Sequence, residues 1–128
     1  MLWTCAPTVA RPREVSARIK LDGAAKANDF YCSVLFTGPH SQLTIMSLSP
    51  SEEIGLVVRD VDQFMYVVQG EGLCLFGSEE ANLAKGDVVC VTAGVPLNII
   101  NGDDTAMKLV IFYARPQHTD HLVQRWRG

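Results

Sequence analysis

The chain has 128 residues, 48% of them apolar and 20% charged, with a net charge of −3. That is enough chain for one domain whose core needs no metal or disulfide staple, and the mix argues against disorder. The acidic balance carries no electrostatic footprint for nucleic acid, and no apolar run approaches the ~20 residues of a membrane helix.

Residues 1–28 form an arm of irregular text, with Pro7, Pro12 and the small-residue patch GAAKAN. Within it, EVSARIKL (14–21) alternates Val15, Ala17 and Ile19 with polar neighbours, so a single strand is expected there. From residue 30 the pattern changes. FYCSVLF, QLTIMSL, IGLVVR, QFMYVVQ, GLCLF, DVVCVT, LNII and KLVIFYA are short apolar runs divided by Gly, Pro, Ser, Asn and Asp. About eight strands with evenly spaced turn signals predict an all-β sandwich or barrel over residues 29–118. In QFMYVVQ, Gln63, Met65 and Val67 share one face, while Phe64, Tyr66 and Val68 share the other. Both faces carry apolar groups, so the outer one needs a cover: a second sheet, the arm or another subunit. The tail, residues 119–128, is expected to be irregular or part of one short helix.

Cys5, Cys32, Cys74 and Cys90 form no CxxC pair and no zinc-like cluster. The opening MLWTCAPTVARPR lacks the basic segment and long apolar core of a secretory signal. Reduced, mostly buried thiols in a cytoplasmic protein are the expectation.

Two segments repeat a known spacing. SEEIGLVVRDVDQFMYVVQG (51–70) follows, without a gap, the pattern Gly, five residues, His-x-His, three or four residues, Glu, six residues, Gly. Ser51 stands at the glycine, Val57 and Arg59 at the histidines, Gln63 at the glutamate, and Gly70 closes it. GDVVCVTAGVPLNIIN (86–101) follows Gly, five residues, Pro-x-Gly, two residues, His, three residues, Asn. Here Thr92 replaces the proline and Leu97 the histidine, while Gly86, Gly94 and Asn101 are kept. With TGPHSQLTIMSLSPSEEIG, DVDQF and YARPQH around them, these segments resemble the small single-domain cupins of the mannose-6-phosphate-isomerase-like type.

That resemblance implies a double-stranded β-helix, or jelly-roll barrel, with the arm as an irregular or single-strand addition. It also implies an inherited centre where three imidazoles and one carboxylate hold a transition metal inside the barrel. In this chain the four positions are Val57, Arg59, Gln63 and Leu97. Valine and leucine have no donor, arginine is a permanent cation, and one amide oxygen cannot hold such an ion. No metal and no cofactor are therefore expected there. Val57 and Leu97 are expected to fill the space, as side chains do in small barrels. Arg59 has two readings: it pairs with Asp60 or Asp62 at the barrel mouth, or it replaces the metal's charge and holds an anion.

The histidines add less. His40 opens a strand and is the candidate third ligand-binding residue beside Arg59 and Gln63; its alternative is a strand end at the surface. His118 and His121, three apart, are expected to be solvated, because nothing nearby completes a metal site. Glu52, Glu53, Asp60 and Asp62 are expected to be a solvated acidic turn.

Three functions remain open. The first is a metal-free degenerate cupin whose barrel binds a small, anionic or sugar-like molecule. A sugar-phosphate isomerase-like enzyme is the second, and an oligomeric scaffold with a filled barrel is the third. The resemblance and the two-faced strands imply a homodimer, with no nucleic-acid or membrane partner.

Overall fold

The computed structural model of this protein describes residues 16–126. Its first element is a helix, α1 (Leu21–Ala27), not the strand expected over 14–21. Residues 14 and 15 lie outside the described residues, and 16–20 have no regular structure. Alanine is the strongest helix former, and Ala24, Ala25 and Ala27 outweigh the short alternation before them. Asp22 and Lys26 pair at 3.1 Å across one turn, and the chain turns extended at Asn28. Seven residues do not hold a helix in water by themselves. Packing holds this one: Ala25 is fully buried against Ile45, Val68 and Val110, with Leu21 and Ala24 beside it.

Nine strands follow: β1 (Cys32–Thr37), β2 (Gln42–Leu48), β3 (Gln63–Gln69), β4 (Glu71–Phe76), β5 (Glu79–Ala84), β6 (Val88–Val91), β7 (Leu97–Asn101), β8 (Met107–Tyr113) and β9 (Val123–Gln124). One sheet has the order β6-β3-β8-β2-β1-β9, and the other β5-β4-β7. Neighbouring strands in both sheets run antiparallel. The two sheets face each other across a core that includes Met65, Val67, Leu97, Ile99, Leu109 and Ile111. This is the expected jelly roll.

Two strands escape the apolar-run pattern. β5 is EEANLA, exposed except at Leu83, so its sequence carries one apolar anchor and little else. β9 is two residues long and pairs with Cys32 and Ser33. Conversely, IGLVVR is not a regular strand. It contributes only the bridge Val57–Leu97, preceded by Glu53–Ile100, along the open edge of β7.

β3 has the two faces expected of it. Gln63, Met65 and Val67 are buried inside, while Phe64 and Tyr66 are 39% and 44% exposed outside. Of the outer face, Val68 lies under α1. The arm is thus one of the covers the sequence calls for, and it covers only part.

Candidate functional site

The positions read as motif glycines share a left-handed backbone: Ser51 has φ 65°, Gly70 97°, Gly86 95° and Gly94 86°. Such values favour glycine, and Ser51 adopts one without being glycine. The Gly94 N–H donates to the Arg59 carbonyl at 2.8 Å, tying the 92–97 turn to the segment before β3. Val57 and Leu97 exchange both backbone hydrogen bonds, each 2.8 Å, so two of the four inherited positions are direct neighbours. Asn101, the last motif residue, is a structural hub: its amide donates to the carbonyls of Leu48, Ser49 and Thr105 at 2.9–3.1 Å.

Val57, Arg59 and Gln63 line one cavity inside the barrel. Leu97 is wholly buried in the adjoining core. The polar rest of the lining includes Tyr31, Tyr113, His118 and Gln124. Free volume is about 10 Å³, room for about one water.

Arg59 is half-buried at this cavity. Its guanidinium sits over the Tyr113 ring, 5.4 Å from the centroid, a cation–π distance. The expected pairing with Asp60 or Asp62 does not form. Asp60 binds Arg115 at 3.2 Å, and Asp62 accepts the Ala93 N–H at 3.0 Å. Among the described residues Arg59 makes no ion pair, and its Nε is buried with no hydrogen-bond partner. Gln63, 1% exposed, likewise leaves Oε1 buried and unpartnered.

His118 corrects an expectation. It is 2% exposed, not solvated, and its Nε2 lies 3.2 Å from the Tyr113 hydroxyl with the rings edge to face. The device that carries it inward is Gln42, buried in β2. Gln42 Oε1 accepts the N–H groups of Gln117 and His118 at 2.9 Å, while Nε2 donates to the His118 carbonyl and the Thr37 hydroxyl. Gln42 and His118 lie 76 residues apart. No spacing rule reaches that far.

Burial, then the neighbouring Arg59 charge, pushes the His118 imidazole down to about 3, so it is neutral at pH 7. Burial pushes the Cys32 thiol up to about 12 against a smaller opposing pull from Arg59. The cavity therefore sets one permanent cation among neutral groups. His40, by contrast, is exposed at the β1–β2 connection and does not line the cavity, and His121 is exposed too. Among the described residues, no group of three or more His, Cys, Asp or Glu is placed to hold a metal ion. No described helix is long and apolar enough to cross a membrane.

The family model described as "Cupin domain" matches residues 44–113. Over 107 residues the chain is 36% identical to the uncharacterized protein YrkC of Bacillus subtilis (strain 168), covering 78% of this chain and 58% of that one. It is 33% identical over 96 residues to the uncharacterized protein L612 of Acanthamoeba polyphaga mimivirus, covering 71% and 60%. The chain thus spans 58% and 60% of the lengths of these relatives. Among crystal structures, BH2720 from Bacillus halodurans superposes with a TM-score of 0.85 at 28% identity, over 93% of this chain and 92% of that one. TT1209 from Thermus thermophilus gives 0.62 at 26% identity, over 66% and 83%.

Proposed function

This chain belongs to the cupin domain family, and from that premise we propose that its barrel is a metal-free site for a small, anionic or sugar-like molecule held by Arg59 and Gln63. One observation carries the reading: among the described residues the Arg59 guanidinium has no ion pair, its Nε is buried and unpartnered, and it lines the barrel cavity beside Val57 and Gln63. Buried donors without partners are rare because desolvation leaves them uncompensated. An acceptor from outside the protein would satisfy this one.

The residues present do not fit a transition metal. Two aliphatic side chains give no lone pair, a guanidinium repels a cation, and one neutral amide is too weak a donor set. His40, at the surface, is withdrawn from the ligand-binding set, and His118 takes its place beside Tyr113.

We expect the purified protein to contain no stoichiometric transition metal, and a chelator to leave its Tm unchanged. Near one Fe, Mn, Ni or Zn per chain by elemental analysis would defeat this. A thermal-shift screen of small molecules should yield acidic ligands whose effect disappears in Arg59→Ala.

The small free volume favours a second reading, a scaffold whose barrel is filled by its own side chains. That reading stands if no ligand in the screen shifts the Tm of the unaltered protein.

A further inference from the structure

The cavity's charge and size narrow the ligand. Arg59 is the one charged side chain lining it among the described residues. His118 is held neutral by burial and Cys32 is held as a thiol, so neither adds charge at pH 7. Arg115 is exposed, paired with Asp60 and outside the lining, so it adds no charge to the cavity wall. A bound monoanion would meet one opposite charge and form a neutral pair. A dianion would bring a second negative charge with nothing to meet it, in a place where an uncompensated ion is strongly disfavoured.

Size points the same way. Free volume of about 10 Å³ accepts one water, and a halide ion or formate is the nearest anionic match. A sugar ring has no room unless the barrel opens. The two unpartnered atoms, Arg59 Nε and Gln63 Oε1, both belong to side chains of this lining. Arg59 Nε–H is a charge-assisted donor, and a half-turn of the Gln63 amide presents a second donor without changing its shape. Resting on the barrel-binding reading above, we infer that the Arg59 centre takes a compact monovalent anion, a halide or formate, and rejects phosphate and sugar phosphates.

The test titrates the full chain with chloride, formate, phosphate and glucose 6-phosphate as sodium salts at matched ionic strength, following the Tm. Chloride or formate should stabilise saturably, with an apparent affinity about tenfold or more weaker in Arg59→Met, as loss of a charge-assisted hydrogen bond implies. Phosphate and glucose 6-phosphate should give no saturable shift. If either of them binds in an Arg59-dependent way, the barrel still binds anions but the monovalent assignment is overturned. If no anion binds, or binding survives Arg59→Met, both readings fall. Should Arg59→Met not fold, a bromide-soaked crystal of the unaltered protein decides: an anomalous peak in the cavity supports the assignment, and an empty cavity overturns it.

Discussion

At the scale of single residues, His118 and Asn101 show how one side chain sets the behaviour of the barrel. The imidazole of His118 falls from its ordinary 6.5 to about 3 in the fold, mainly through burial. Between those values the unfolded chain holds about one more proton than the folded one, so stability decreases as pH falls through that window. Above 6.5 the contribution is fully present. Unfolding free energies from urea denaturation, measured from pH 7 to pH 3, should therefore drop more steeply in the native protein than in His118→Phe, which keeps a ring against Tyr113 but cannot titrate. The difference in slope should approach about 1.4 kcal/mol per pH unit. Equal slopes would place His118 in water. Asn101 acts through geometry instead. Its amide serves three carbonyls and its oxygen accepts the Asp103 N–H at 2.8 Å. Asn101→Leu leaves those groups without it and should destabilise by about 3 kcal/mol, at the upper end for buried groups left unsatisfied. A change under half of that in denaturant unfolding would mean that water replaces the amide.

Among the elements, α1 is the one whose presence depends on a latch. Its seven residues bury little beyond Ala25, yet its end is held from β8 by Lys108, only 4% exposed. Lys108 Nζ donates to the Asn28 carbonyl and to Ser47 Oγ at 3.0 Å, with Asp29 Oδ1 at 3.4 Å. The Asp29 side chain is 93% exposed, so water screens that ion pair and the two neutral acceptors carry the contact. Lys108→Met should therefore speed amide exchange across 21–28 and lower stability by about 1–2 kcal/mol, whereas Asp29→Ala should change little. Unchanged exchange in Lys108→Met would show that Ala25 packing alone holds the helix. The strands need no such latch, because each is paired with a neighbour in its sheet.

Considered whole, the molecule leaves one sheet face partly uncovered. Phe64 and Phe112 are cross-strand partners with rings stacked at 6.1 Å, and Tyr66 and Val88 extend their patch. These four are 38–54% exposed and stand outside the cluster packed under Ala25, although Phe112 lines a hollow with Leu21 of α1. Large contiguous apolar surface on a sheet is ordinarily an interface, and two-fold pairing is the commonest soluble solution. We propose a homodimer through this face. Light scattering at micromolar concentration should give twice the chain mass, and Phe64→Glu with Phe112→Lys should shift it toward the monomer. A monomer mass for the unaltered chain would refute the pairing.

What the chain's text determined by itself was local. Period-two alternation and turn residues were enough for the all-β class, and three of the motif positions, Val57, Arg59 and Gln63, line one cavity while Leu97 packs in the core beside it, since turns and strand register act over a few residues. The same local logic misread EVSARIKL, where a short alternation competed with alanines that pack onto the sheet. It also passed over EEANLA, whose strand depends on pairing with β4 and not on its own apolar content. The character of the centre was decided elsewhere. Arg59 lacks a carboxylate because Asp60 turns to Arg115 and Asp62 to a backbone N–H. His118 enters the cavity because Gln42, 76 residues away, grips its backbone. Such contacts join parts of the chain that only the closed barrel brings together, and neither propensity nor spacing encodes which of several nearby acids a half-buried cation will miss.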